Sequence, residues 1–283
     1  MEIKNYCFKL LWAIFNIVNS YIPLFKLSYE LDKESTPSVA CDGELLFVFI
    51  DFKGFFERKK KVINRSCSYE CGREGIDFLK EKIRDLRYDF LDIITDDNSS
   101  KRSVCVNETV EYCNEGTDIA LIDNISEVIG RYKYVFVVNS SASVSDLKNI
   151  NVVNLIERIR KLDIMEQEFV VGFNANSMIS PRLPFTRNIY PHVITNAFIC
   201  KSKTVLTQLK FANQKKNKLL RFDFSNKFFC IAFFEVGLSC GILNRGGNIY
   251  ILDNLDSCEL QGYLNETHLW PIFDTRISKY GSE

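Results

Sequence analysis

Glu235 is a carboxylate set in an apolar segment. It stands between Phe233-Phe234 and Val236-Gly237-Leu238, where an ionised side chain is costly unless it has a partner or a chemical role. A carboxylate in such surroundings is suited to act as a general base, which removes the proton of an attacking hydroxyl. The alternative is a carboxylate at the N-terminus of a helix that caps backbone amides.

His192 is one of two histidines and follows a segment with prolines at 181, 184 and 191, which oppose regular structure. A neutral imidazole there can donate to a phosphate or act as a base near neutral pH. The alternative is a structural histidine. Arg182 and Arg187 lie in the same loop, and a guanidinium can pair with two phosphate oxygens, so both are candidate diphosphate contacts.

Asn139-Ser140-Ser141 follows the apolar run Tyr134–Val138. An amide and two hydroxyls can hydrogen-bond a phosphate or a ribose, but Mn²⁺ and Mg²⁺ prefer carboxylate oxygens. The segment therefore predicts no metal site and disfavours a divalent ion as cofactor. The alternative is an ordinary turn or helix N-cap.

Cysteines and glycines give weaker signals. Four cysteines form two pairs in the first half of the chain. Three residues separate Cys67 from Cys71, and seven separate Cys105 from Cys113, and these spacings do not fit common zinc sites. The four cysteines are interpreted as buried apolar residues or disulfide partners. The turn from Gly72 to Gly75 is a helix start or an anion-binding turn.

The composition narrows the function classes. The 283 residues suit one elaborated domain, which we assign to residues 39–283. Lys plus Arg and Asp plus Glu each total 36, so no overall field attracts nucleic acid, and no nucleic-acid partner is predicted.

Residues 1–38 form a hydrophobic N-terminal segment followed by a polar linker. Leu10–Phe25 is largely apolar, but sixteen residues of helix reach about 24 Å, less than a hydrocarbon core of roughly 30 Å. We predict membrane association through residues 10–25, as a single-pass signal-anchor or as an amphipathic helix on a membrane surface. The alternative is a helix packed on the domain of a cytoplasmic protein.

Strand-like and helix-like segments alternate along the chain. This alternation predicts an α/β domain with a mainly parallel, twisted, Rossmann-like sheet, helices on both faces, and ligands at the carboxyl ends of the strands. The predicted strands are 44–51, 89–95, 104–110, 134–138, 169–173, 193–200 and 249–252, and the predicted helices are 76–86, 119–129, 155–162, 203–209 and 233–243. The unbroken run Phe136–Val138 predicts a central buried strand.

Four short motifs occur in a fixed order over about half the chain: Asn114–Asp118, Tyr132–Ser141, Tyr190–Asn196 and Glu235–Ser239. The series resembles a group of GT-A-like glycosyltransferases. In that group an Asn-x-Gly-x-Asp element precedes a strand ending in Asn-Ser-Ser, and a Pro-His-x-x-(Ser/Thr) segment and a Glu-(Ile/Val)-Gly-Leu-Ser helix follow. Val144-Ser145-Asp146 differs from the Arg-Gly-Pro expected after Asn-Ser-Ser.

The resemblance implies a GT-A-like fold and an enzyme that moves a sugar from a nucleotide-sugar donor to the hydroxyl of a glycan, lipid or protein acceptor. It implies catalytic roles for Glu235 and His192 and acceptor binding by Thr195 and Asn196. The implied donor-binding residues are Asp118, Asn139, Ser140, Ser141, Arg182 and Arg187.

Two points stay open within this hypothesis. Asp118 accepts hydrogen bonds from ribose hydroxyls or a uracil N–H, or it is only a carboxylate at a helix N-terminus. Asn-Ser-Ser replaces the metal-binding Asp-x-Asp of metal-dependent enzymes, which favours metal-independent transfer or loss of activity. The alternative function is therefore a catalytically inactive, GT-A-like accessory protein that binds a nucleotide or a glycan.

Overall fold

The structure is a computed structural model. It describes residues 43–52, 72–96, 103–113, 117–139, 144–166, 168–176, 192–216, 224–225, 230–252, 258, 260–262 and 274–275. The hydrophobic N-terminal segment lies outside the described residues, as do Ser140, Ser141, Arg182, Arg187 and two of the clustered cysteines, Cys67 and Cys71.

Within the described residues, eight strands form one sheet. They are β1 (Gly43–Phe52), β2 (Asp89–Asp96), β3 (Thr109–Cys113), β4 (Tyr132–Asn139), β5 (Phe169–Gly172), β8 (Ala197–Lys201), β9 (Asn248–Leu252) and β10 (Leu260–Gly262). A smaller three-stranded sheet contains β6 (Asn174–Asn176), β7 (His192–Val193) and β11 (Asp274–Thr275).

The strand order of the large sheet is β10-β9-β5-β8-β4-β1-β2-β3. Strands β1 to β5 and β9 all run in the same direction, while β8 and β10 run against them. The sheet is therefore mixed and mostly parallel. Its interior strands β1 and β4 carry long apolar runs that are buried on both faces, as expected for strands covered by helices on two sides.

Helices cover both faces of this sheet. They are α1 (Gly72–Asp85), α2 (Asp118–Asn124), α3 (Ser126–Ile129), α4 (Val144–Asn149), α5 (Val152–Met165), α6 (Ser202–Lys216) and α7 (Val236–Asn244), and a π-helical turn, Ile231–Glu235, leads into α7. Helices α1, α4 and α5 pack on one face against Phe47 and Phe49 of β1. Helices α2, α3, α6 and α7 pack on the other face against Val48 and Ile50.

The structure confirms an α/β domain with a mostly parallel sheet and a central, fully buried Phe136–Val138. Five predicted elements need correction. The strand expected at 104–110 is instead Thr109–Cys113, and the single strand expected at 193–200 is β7 and β8, separated by residues 194–196. The single helix expected at 119–129 is α2 and α3, the helix expected from residue 76 begins at Gly72, and the helix expected at 233–243 is the π-helical turn followed by α7. Helix α4 was not predicted, because the segment Val144–Asn149 is short and polar.

Helix α7 ends at a glycine pair. Gly246 has φ of +79°, which side-chain-bearing residues rarely adopt, and its N–H donates to the carbonyl of Leu243 at 3.0 Å. The N–H of Gly247 donates to the carbonyl of Ile242 at 2.9 Å. The glycine pair therefore caps the C-terminus of α7 and turns the chain directly into β9.

Candidate functional site

The candidate site lies where the strand order of the large sheet reverses. The chain proceeds from β1 outward to β2 and β3, then returns to place β4 on the other side of β1. In sheets of this kind, ligands bind beyond the carboxyl ends of the strands that flank such a reversal. We call the side of the sheet formed by the carboxyl ends of its parallel strands the carboxyl edge. Asn139 is the last residue of β4 and lies on this side.

Asn139 and Asp118 meet at the carboxyl edge. Thr117 caps α2 by accepting from the backbone N–H of Ala120, so Asp118 is the first residue of the helix. Its Oδ2 accepts a hydrogen bond of 2.5 Å from Nδ2 of Asn139. Asp118 is thus a helix N-terminal carboxylate that also belongs to the polar group at the end of β4, and its role toward a donor stays a prediction.

The reversed strand β8 brings a third segment to the same edge. Because β8 runs against β4, Ala197 at its beginning pairs with Val138 near the end of β4. The backbone N–H of Asn139 donates to the carbonyl of Asn196 at 2.9 Å. Residues 192–196, which precede β8, therefore lie beside Asn139; in an all-parallel sheet they would lie at the opposite edge.

Glu235 reaches this segment from the other side. It stands at the junction between the π-helical turn and α7, and its side chain makes no capping hydrogen bond to its own helix. Its Oε2 instead accepts two hydrogen bonds from Thr195, one from the backbone N–H at 3.0 Å and one from the hydroxyl at 2.9 Å. The capping interpretation of Glu235 is therefore wrong.

The second carboxylate oxygen of Glu235 points toward His192. Oε1 lies 3.9 Å from Nε2 of His192, which is an ion pair only when the imidazole is protonated. The side chain of His192 is 3% exposed and that of Glu235 is 16% exposed. The carboxylate can thus be reached from solvent, whereas the imidazole is enclosed.

Ser239 completes the contact between α7 and this segment. It is fully buried one helical turn after Glu235, and its hydroxyl accepts from the backbone N–H of Val193 at 3.1 Å. Glu235 and Ser239 thus hold Thr195 and Val193 from one face of the helix. The Glu-x-x-x-Ser spacing has a structural function in addition to any chemistry.

The structure therefore joins six predicted residues in one connected group. They are Asp118, Asn139, His192, Thr195, Asn196 and Glu235. The other four predicted site residues lie outside the described residues. Asp51 was missed by the sequence analysis. It is a buried carboxylate near the carboxyl end of β1, where Ile50 pairs with Asn139. The sequence feature that could have indicated it is an acidic residue directly after a buried apolar run.

A second polar cluster surrounds Asp92 in the middle of β2. Its carboxylate is fully buried and accepts from Arg73 at 2.7 and 2.5 Å, from Lys80 at 2.5 Å and from Thr109 at 2.7 Å. Burial alone would raise the pKa of Asp92, but these donors hold it below its usual value. Arg73 belongs to the segment Gly72–Gly75, which is the first turn of α1. Its guanidinium is bound to the buried Asp92.

Within the described ranges, no three His, Cys, Asp or Glu side chains lie close enough to hold a metal ion. None of the helices among those ranges is long and apolar enough to cross a membrane. Of the clustered cysteines, Cys105 is an exposed free thiol.

Neither the models of known protein families nor the curated proteins give a match to this chain.

Proposed function

We propose that this protein is a GT-A-like glycosyltransferase that moves a sugar from a nucleotide-sugar donor to an acceptor hydroxyl. The observation that supports this most directly is the position of Glu235. Its carboxylate leaves its own helix uncapped, is fixed through Oε2 by Thr195, and lies at the edge of the sheet where ligands of α/β domains bind.

The sheet supports the fold part of the proposal. Its order begins β3-β2-β1-β4, as in doubly wound nucleotide-binding domains, but continues with the reversed β8 before β5. A reversed strand at this point distinguishes the sheet from the all-parallel dinucleotide-binding order and suits a GT-A-like domain.

The proposed chemistry is a single displacement. Oε1 of Glu235 accepts the proton of the acceptor hydroxyl while that oxygen forms a bond to the anomeric carbon of the donor. The bond from that carbon to the nucleoside diphosphate breaks, and its electron pair leaves with the phosphate. Thr195 holds Oε2, so Oε1 keeps a defined direction. The burial of His192 favours a role beside Oε1 rather than on the donor phosphates.

The donor side is proposed from the end of β4 and the start of α2. Asp118 and Asn139 lie together there, and the Asp118 carboxylate is proposed to accept from ribose hydroxyls or a base N–H. Asp51 adds a carboxylate near the end of β1 that can accept from hydroxyl or ring N–H groups. Asn139-Ser140-Ser141 contains no carboxylate, whereas metal-dependent enzymes have Asp-x-Asp at this position. Donor binding is therefore proposed to need no divalent ion.

A thermal-shift screen tests this proposal. The protein is heated with each common nucleoside diphosphate and nucleotide-sugar, with Mn²⁺ or with EDTA. A ligand at ~100 times its Kd stabilises by about 2.7 kcal/mol, which moves Tm by several degrees. We expect one nucleotide to raise Tm equally under both conditions and its sugar conjugate to be consumed when an acceptor is added. Binding without consumption supports the accessory protein instead, and absence of any shift contradicts both.

A further inference from the structure

The opposite edge of the large sheet carries an apolar and basic surface. Ile164 and Met165, in the last turn of α5, are 86% and 74% exposed, the largest exposures among the described large apolar residues. Glu166, the next residue, accepts from Asn248 at 2.9 Å and from Tyr250 at 2.8 Å. These bonds fix the end of α5 at the beginning of β9. The exposed pair therefore lies on the side of the sheet formed by the amino ends of its parallel strands, which we call the amino edge.

Hydrogen bonds connect the end of α5 to the centre of the amino edge. Arg160, one helical turn before Ile164, makes two hydrogen bonds of 2.6 Å with Glu44 at the start of β1. It also lies 3.5 Å from the hydroxyl of Tyr88, which follows the exposed Leu86. The ends of α1 and α5 and the start of β1 therefore form one continuous surface.

Cations surround the apolar residues on this surface. Lys133 at the start of β4 pairs with Asp163 at 2.6 Å, and Lys201 pairs with the same carboxylate at 2.6 Å, which leaves a positive excess there. The exposed cations at the ends of these elements are Arg84, Arg87, Arg131, Lys133, Arg160 and Lys161. The exposed acids nearest to them on the same elements are Glu81, Asp85, Glu127 and Glu157, so the cations are in excess. An apolar tip among basic residues is the pattern of a protein that rests on an anionic membrane.

The chain itself leads to this surface. Residues 1–42 precede β1, whose first residue, Gly43, donates from its N–H to the carbonyl of Arg131 at 3.3 Å. Leu10–Phe25 is the apolar segment of that stretch, and the 17 residues from 26 to 42 can span at most about 60 Å. Any membrane contact of the segment thus keeps the start of β1 within that distance of the same lipid surface.

We propose that the amino edge, through Leu86, Ile164, Met165 and the cations around them, docks on an anionic lipid surface. The candidate site then faces away from the lipid, at a distance set by the ten residues of β1, about 33 Å. This proposal does not depend on glycosyl transfer, since it concerns the opposite edge of the sheet.

Vesicle flotation of the full chain tests the docking. Phosphatidylcholine vesicles with and without phosphatidylserine serve as probes. We expect tighter binding to the anionic vesicles, and an affinity loss of about tenfold or more for Ile164→Glu with Met165→Glu, because two apolar side chains leave the interface and two charges repel the lipid. Lys161→Gln should weaken binding by about fivefold.

Val153→Glu is the matched control. Val153 is 48% exposed on the same helix but eleven residues before Ile164, about 16 Å away toward the carboxyl edge. We expect this variant to bind the anionic vesicles as the wild type does. Equal binding by wild type to neutral and anionic vesicles would overturn the proposal.

A second measurement covers the case in which residues 1–42 alone hold the chain on vesicles. A benzoylphenylalanine at position 164 should crosslink to lipid on irradiation, and one at position 153 should not. Lipid adducts at neither position, or at both equally, would overturn the proposal. If the double variant instead dissociates a dimer in sedimentation and leaves lipid contact unchanged, the surface belongs to a second copy and the proposal is wrong.

Discussion

Asp92 and Glu235 are two carboxylates in apolar surroundings with different environments. Asp92 is fully buried, and its two oxygens accept from Arg73, Lys80 and Thr109. Glu235 is partly exposed; among the described residues its Oε2 accepts from Thr195 and its Oε1 lies 3.9 Å from His192. The first carboxylate is neutralised and enclosed, which is a structural arrangement. The second is partly open to solvent and is held through one oxygen, and the contrast separates a structural acid from a candidate general base.

The largest effect is expected from Glu235→Gln. If Glu235 is the general base, turnover with the donor found in the thermal-shift screen should fall by about two to four orders of magnitude. Nucleotide affinity and Tm should stay nearly unchanged, since glutamine has almost the same shape and its amide oxygen can still accept from Thr195. Steady-state kinetics and melting curves give both values. Glu157→Gln, an exposed acid on α5, is the control.

Normal turnover by the Glu235 variant would remove the base assignment and make the two carboxylates alike in function. A large loss of Tm would lead to the same conclusion by another route, because it would make Glu235 a structural residue that docks residues 192–196.

The next largest effect is expected from Asp92→Asn. Removing one partner of a buried ion pair leaves Arg73 and Lys80 without their counter-charge, which costs about 3–5 kcal/mol in the free energy of unfolding. Urea titration measures this cost. Asp77→Asn is the control: Asp77 pairs with the same two cations but its side chain is 48% exposed, so we expect a loss below about 1 kcal/mol.

The same contrast has a pH dependence with a defined sign. The pKa of Asp92 is lowered in the folded protein by its donors, so its stabilisation is present above the unfolded value of about 4 and is lost as pH falls through the folded value. The difference in unfolding free energy between wild type and Asp92→Asn should therefore narrow on acidification. A constant difference would show that shape, not charge, sets the cost.

The smallest effect is expected from Thr195→Val. Valine keeps the shape and the backbone N–H but loses the hydroxyl that donates to Oε2 of Glu235, so we expect turnover to fall about tenfold, the value of one hydrogen bond to a charged group. Thr195→Ser should restore most of it. If valine and serine have equal turnover, the hydroxyl does not position the carboxylate.

The layers of the fold could be predicted from the sequence. Burial of β1 and β4 on both faces gives continuous apolar runs, which can be identified without knowledge of the neighbouring strands. The sequence did not predict the direction of β8. The run Ala197–Lys201 has the same composition in either direction, and direction is decided by which neighbours it pairs with. The sequence also predicted no function for Asp92, although an acid inside an apolar strand run is unusual, because its partners Arg73 and Lys80 lie on another element.

The meeting of the candidate site residues was predicted from parallel strand ends, which explains only some of them. Successive ends of parallel strands account for Asn139 and, through α2, for Asp118. His192, Thr195 and Asn196 precede a strand, so they reach the same edge only because that strand is reversed. Glu235 was predicted in a continuous helix, whereas the π-helical turn before it ends at this residue. Such turns are frequent at functional sites and have no clear signature in the apolar pattern.

The central position of β8 has a consequence during synthesis of the chain. A ribosome that has released only the residues up to β5 has delivered both neighbours of β8 but not β8 itself, so β4 and β5 each present an unpaired edge. Open edges of this kind invite pairing with other chains. They close when residues 197–201 insert, and that insertion also brings Thr195 and Asn196 beside Asn139. A nascent or truncated chain that lacks β8 therefore lacks the site and is prone to aggregate.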